Sequence, residues 1–86
     1  MGLDLVELVI SFEEEFEVNI SDAVAVTFLT PRDVIDFLIL TPEIRNNSIT
    51  REEIAKKVWL ILENEVGIGL SKFNEDSRFI EDMNLN

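Results

Sequence analysis

The residues of this sequence that could do chemistry are serines and carboxylates, because histidine, cysteine and tyrosine are absent. Covalent catalysis needs a nucleophile beside a base, and histidine is the usual base near neutral pH. Ser71 precedes Lys72, but adjacent side chains in a loop rarely face one another. Carboxylates on an exposed helix face titrate normally as a rule, and no glycine-rich phosphate loop occurs. We therefore expect a protein that is not an enzyme.

Two oxygen-rich stretches are the candidates for binding a metal ion, EEEFE at 13–17 and NEDSRFIEDMN at 74–84. Neither has the alternating carboxylates, central glycine and closing glutamate of a calcium loop. Without histidine or cysteine, the chain also lacks the usual zinc ligands. The sequence predicts no structural metal site and leaves open weak, non-selective binding of calcium or magnesium.

Negative charge is concentrated at the start of the chain. The 18 acids outnumber the 7 bases, and residues 1–31 contain no Lys or Arg. Such a field repels nucleic acids and anionic membranes and attracts basic protein patches or cations. A solvated acidic face that keeps the protein soluble is the alternative. No apolar run could span a bilayer and no signal peptide is visible, so we expect a soluble, cytoplasmic protein.

The elements that must carry these acids are helices, beginning with one predicted over residues 3–16. Its apolar side chains recur at the spacing of a single helix face, namely Leu5, Leu8, Val9, Phe12 and Phe16. A second apolar stripe, Leu3, Val6 and Ile10, lies beside this face. Together the two stripes predict a helix that is buried over a wide arc.

Start and stop signals predict the other helices. Ser21 can cap a short helix over about residues 22–27, and Thr30 followed by Pro31 begins one that ends near Leu40. Residues 43–49 look like a polar connector, after which Thr50 and Glu53 fit a capping box. The apolar face of this last helix is Ile54, Val58, Ile61 and Leu62, with Trp59 at its margin, and the glycines of VGIGL end it.

Residues 67–78 are predicted to form a loop anchored by Leu70 and Phe73. Ser77 is expected to cap a short turn that carries Phe79, Ile80 and Met83. The prediction for residues 1–86 is a single all-α domain, a small bundle of three main helices with one or two short ones.

The stretch LDLVELVISFEEEFEVNISD (3–22) resembles the second helix and following loop of acyl carrier proteins. In that family the helix opens with a D-S-L motif, continues with a V-E-L run and ends in an E-E-E-F cluster before an I-x-D loop. TPRDVIDFLI (30–39) resembles the last helix of the family. IAKKVWLILENEVGI (54–68) and SRFIEDM (77–83) resemble its first helix and the segment before the D-S-L motif.

These pieces cover nearly the whole chain in an order that differs from the family. The family order would be residues 50–86 followed by 3–40, which implies a circular permutation with residues 41–49 as the bridge. The break falls within the D-S-L motif, with Asn86 in place of its Asp and Gly2 in place of its Ser. Three origins stay open: an engineered permutant, a natural permuted carrier-like protein, or a piece cut across tandem carrier domains.

The resemblance implies a carrier of acyl chains in fatty acid or related lipid or polyketide biosynthesis. Family members hold the chain as a thioester on 4′-phosphopantetheine, which is attached to the motif's Ser. Gly2 has no hydroxyl, so we expect this chain to carry no cofactor and to be an unloaded scaffold. Ser77 follows Asp76, as in the motif, but Arg78 stands where Leu is required, so we do not expect it to substitute.

The resemblance also implies partners and a pocket. The acidic second helix of the family docks on basic patches of acyl-chain-processing enzymes and of phosphopantetheinyl transferase, and by position its docking residues would be Asp4, Glu7, Glu13 and Glu14. Candidates for lining an acyl pocket, which serve equally well as ordinary core, are Val6, Leu8, Ile20, Ala25 and Ile35. We expect a monomer. The alternative is a structural or interaction module, such as a domain-swapped dimer in which residues 1–40 pack on 50–86 of another chain.

Overall fold

The helices of a computed structural model, which describes residues 3–67 and 72–85, follow one another with short connections. They are α1 (Leu3–Phe16), α2 (Asp22–Ala25), α3 (Pro31–Leu40), α4 (Pro42–Arg45) and α5 (Arg51–Val66). Residues 72–85 form turns, and the described part of the chain contains no strand. The predicted all-α bundle of three main helices is confirmed.

The core lies where α5 packs against both α1 and α3. Phe12, Leu38 and Leu62, one from each of these helices, are completely buried. Burial of a large apolar side chain contributes about 1.5–3 kcal/mol, so these contacts are the main source of stability. The predicted face of α1 is buried throughout, as are Ile54, Val58, Ile61 and Leu62 of α5.

The second apolar stripe of α1 is not buried as predicted. Val6 is 37% exposed and Ile10 is 46% exposed, while nothing is described of the Leu3 side chain. In a bundle this small, α1 packs mainly on α5, and the stripe beside its contact face stays at the surface. Trp59 of α5, which was predicted to lie at the margin of the apolar face, is buried.

The predicted helix caps at Thr30 and Thr50 are found, but they differ in completeness. At α3 the Thr30 hydroxyl accepts the Asp33 N–H at 3.3 Å, and the Asp33 carboxylate accepts the Thr30 N–H at 3.1 Å. At α5 the Thr50 hydroxyl accepts the Glu53 N–H at 3.2 Å and also donates to the Glu53 carboxylate at 3.1 Å. The Glu53 carboxylate therefore accepts from the Thr50 hydroxyl and not from the Thr50 backbone N–H. The second hydrogen bond of the predicted capping box is thus absent at α5.

The predicted connector at 43–49 contains the short helix α4. Pro42 ends α3 as expected, but its fixed φ also suits the first position of a new helix. Ile44 of α4 is 2% exposed and belongs to the core cluster. The bridge between α3 and α5 is therefore a packed part of the bundle.

The segment that follows α5 is held by its own turns. Within these turns Phe79 and Met83 are buried, and Ile80 is 53% exposed. Ser77 does not cap the turn that follows it: its hydroxyl accepts the Asn74 N–H at 3.0 Å, and Asp82 accepts the Arg78 N–H at 2.7 Å instead. Phe73 packs against the core, whereas Leu70 lies outside the described residues.

Candidate functional site

The exposed face of α1 combines acids with apolar side chains. Glu7 and Glu14 are exposed, and Val6 and Ile10 lie at the surface of the same helix. The backbone of Asp4 lies in α1, but its side chain is outside the description. Acids that surround an apolar patch suit a partner with basic residues around an apolar contact.

Glu13 differs from the other predicted docking acids because it also holds the loop after α1. Its carboxylate accepts the Ile20 N–H at 2.9 Å, and its carbonyl accepts the Val18 N–H at 3.2 Å. Between Glu13 and Val18 the backbone adopts a left-handed conformation at Glu17, with φ of 53°. Glu13 is half-buried, so a substitution there would disturb the loop as well as the surface.

Few of the acids near the start of the chain are neutralised by bases. Among the ion pairs that residues 5–67 and 72–85 form, Glu15 is the one acid before Arg32 that takes part, 3.7 Å from Lys57 Nζ. Both side chains are nearly half exposed, so the pair contributes little to stability. The negative field of α1 therefore stays open to a partner.

An apolar cleft lies between α1, the end of α2 and the turn at Ile80. Its volume is about 140 Å³, and its lining is Leu5, Ala25, Val26, Phe28, Leu29 and Ile80. A smaller cleft of about 70 Å³ adjoins it and shares Phe28, Leu29 and Ile80. An engineered apolar cavity of about 150 Å³ accommodates benzene. The larger cleft is thus wide enough for part of an apolar chain.

The predicted pocket residues are not all brought to this cleft. Ala25 lines it, while Leu8, Ile20 and Ile35 are buried in the core. Val6 lies at the surface, 37% exposed. The prediction missed Val26, Leu29 and Ile80. The signal for Val26 and Leu29 was the stretch VTFL at 26–29, whose side chains follow a helix of only four residues and cannot all face inward. No comparable sequence signal indicated Ile80.

The position matched to the attachment serine lies outside the described residues, as does Asn86. Their expected proximity therefore stays a prediction. Leu5 of α1 and Ile80, five residues before Leu85, line the same cleft. Across residues 3–67 and 72–85, no group of three or more acids could hold a metal ion, and no helix could cross a membrane.

Comparison with known proteins bears on part of the chain. No family model matches it, and no solved structure does. An "Acyl carrier protein" of Phaeodactylum tricornutum is 53% identical to it over 37 residues, which make up 43% of this chain and 49% of the relative. The chain thus spans about half the length of the curated relative it matches. Through this stretch, the chain is related to the acyl carrier protein family.

Proposed function

We propose that this chain is an acyl-carrier-like scaffold, a non-enzymatic domain that docks on basic patches of acyl-chain-processing enzymes. The observation that carries the proposal is the face of α1, where Glu7 and Glu14 are exposed beside Val6 and Ile10. In the related family this helix is the docking element. Complementary charge gives fast, salt-sensitive and reversible association, which suits a protein that visits several enzymes.

The proposed scaffold is not loaded with 4′-phosphopantetheine. A phosphodiester needs a hydroxyl, and Gly2 has none. Two serines of the described part are engaged elsewhere: the Ser11 hydroxyl donates to Glu65 at 2.9 Å, and that of Ser77 accepts a backbone N–H. The residues present at the matched position therefore do not fit the group, and we assign no chemical step to it.

The proposal includes the permuted order of the family's elements. Two features support it. Ile44, in the bridge that would join the family's last and first helices, is part of the core. The segment that would precede the D-S-L motif lies beside the start of α1, since Ile80 and Leu5 line one cleft. A bridge packed in this way also favours closure within one chain over a domain swap.

A loading experiment tests this proposal. The wild-type chain and a Gly2→Ser variant are each incubated with a phosphopantetheinyl transferase and coenzyme A, and their intact masses are measured. We expect no change for the wild type and a gain of one phosphopantetheine for the variant. The same variant carrying Ser77→Ala should be loaded equally, which assigns the gain to position 2.

A loaded wild-type chain would contradict the unloaded scaffold. A Gly2→Ser variant that keeps its helical circular dichroism but gains no mass would contradict the permuted carrier.

A further inference from the structure

Residues 74–83, called the strap below, cross the connection between α2 and α3 without forming a helix. Two backbone hydrogen bonds dock the strap there. The Arg32 N–H donates to the Glu75 carbonyl at 3.0 Å, and the Phe79 N–H donates to the Leu29 carbonyl at 2.9 Å. Amides in the first turn of a helix have no acceptor within that helix, so the Arg32 bond depends on the strap being in place.

Four charged side chains, called the clamp below, hold the strap to two helices. Arg51 of α5 donates to both Glu75 carboxylate oxygens, at 2.6 and 3.3 Å. Arg32 of α3 donates to both oxygens of Asp76, at 2.8 and 3.1 Å, and its Nη1 lies 3.7 Å from Glu75. Paired bonds of this kind are the stronger form of ion pair. Asp36 of α3 also faces Arg51, at 3.9 Å.

A second set of ion pairs stays within the strap. Arg78 lies 2.6 Å from Glu81 and 3.7 Å from Asp82, three and four residues further along the chain. These pairs shape the turn but connect it to no helix. They therefore provide a matched control, because Glu81 and Glu75 carry the same charge in the same segment.

The strap forms one wall of the apolar cleft. Ile80 lines both the larger and the smaller cleft, and Phe79, which is 2% exposed, lies beside it in the smaller one. The opposite wall is Phe28 and Leu29, which belong to the connection that the strap crosses. Movement of the strap away from this connection would join and widen the two clefts.

We propose that the strap is a gate on the apolar cleft and that the clamp keeps it closed. Loss of the clamp makes local opening of residues 74–83 more frequent while the bundle of α1, α3 and α5 stays folded. Phe79 and Met83, both buried in the core, return the strap to its closed position, and the open form takes up uncharged apolar molecules. The gate concerns how the cleft opens, and its test needs neither a partner enzyme nor a prosthetic group.

Amide hydrogen exchange, followed by nuclear magnetic resonance on the full chain, tests the gate. In the Glu75→Gln variant, we expect the amides of Arg32 and Phe79 to exchange about three- to tenfold faster, the range for losing one paired ion contact. Glu81→Gln should leave both amides at their wild-type rates. The amide of Leu62, within α5, should be unchanged in both variants. High salt should speed the wild-type amides of Arg32 and Phe79 and have little effect on them in Glu75→Gln.

Binding of Nile red, an uncharged apolar dye, reports the cleft itself. Glu81 itself lines the smaller cleft, so the control for dye binding is Glu7→Gln, which removes the same charge from α1. We expect stronger dye fluorescence with Glu75→Gln than with the wild type or Glu7→Gln. Unchanged exchange at Arg32 and Phe79 would overturn the proposal, as would equal acceleration at Leu62, which indicates global unfolding. Faster exchange with unchanged dye binding would also overturn it, because the strap would then move without opening the cleft.

Discussion

Carboxylates serve different purposes on α1 and on the strap. The exposed Glu7 and Glu14 of α1 take part in no ion pair of the described residues. On the strap, Glu75 and Asp76 are bound by Arg32 and Arg51, and two further acids are bound by Arg78. One region therefore keeps its charge available, while the other uses its charge to hold the fold together.

The distribution of bases along the chain explains this contrast. Every Lys and Arg lies at or after position 32, so α1 has no base of its own. Lys57 of α5 reaches it once, at Glu15. The net charge of −11 is therefore a sum over two surfaces whose acids have different surroundings. Glu7 and Glu14 of α1 are unpaired acids that also have no base near them in the sequence.

The largest expected effect concerns the apolar contact that holds the strap in addition to its ion pairs. Phe79→Ala removes a side chain that is 2% exposed and should lower the free energy of unfolding by about 3–5 kcal/mol. Ile80→Ala, next to it but exposed, should change the free energy by less than about 0.5 kcal/mol. Urea unfolding followed by circular dichroism measures both. Equal costs at the two positions would mean that the strap is not anchored through Phe79.

The next effect compares the two kinds of carboxylate directly. Glu75→Gln should lower the free energy of unfolding by up to about 1 kcal/mol, because it removes the carboxylate of a paired ion contact that solvent screens in part, Arg51 being 42% exposed and Glu75 24% exposed. Glu7→Gln removes the same charge from α1 and should change it by less than about 0.5 kcal/mol. The same urea titration applies. A larger loss for Glu7→Gln would reverse the assignment of the two regions.

Acid titration should show a smaller difference between the regions. The Arg51 guanidinium, hydrogen-bonded to the carboxylate, holds the pKa of Glu75 below its usual value. A carboxyl whose pKa is lower in the folded state stabilises the fold above its unfolded pKa, and this contribution is lost as the pH falls through the folded value. Between about pH 5 and pH 3, wild-type stability should therefore fall more steeply than that of Glu75→Gln. Parallel curves would contradict the clamp.

Local patterns made the helices of this fold predictable. The spacing of Leu5, Phe12 and Phe16, and the sequence Thr30–Pro31, each determine structure within a few residues, and these predictions are confirmed. The prediction that the second stripe of α1 is buried was wrong, because burial of this stripe depends on how many elements pack against the helix. That number is a property of the bundle and not of the helix.

The strap was harder to predict because its contacts are distant in sequence. Arg32 and Asp76 are 44 residues apart, and Arg51 and Glu75 are 24 apart. No spacing rule relates such pairs. The hydrogen bond from the Phe79 N–H to the Leu29 carbonyl is also distant in sequence, and it belongs to a turn in which Phe79 is buried and Ile80 is exposed. The acidic face of α1, in contrast, could be predicted from composition, since no base is near it in the sequence.

One binding measurement tests most directly whether the carboxylates of α1 bind a partner while those of the strap hold the fold. The affinity of a phosphopantetheinyl transferase for the full chain is measured at low salt by titration calorimetry, for the wild type, Glu14→Lys, Glu75→Gln and Glu63→Lys. Glu63 is exposed on α5 and controls for the reversal of charge. We expect Glu14→Lys to weaken binding about tenfold, with the other two variants within about twofold of the wild type. Wild-type affinity for Glu14→Lys, or an equal loss with Glu75→Gln, would contradict the account.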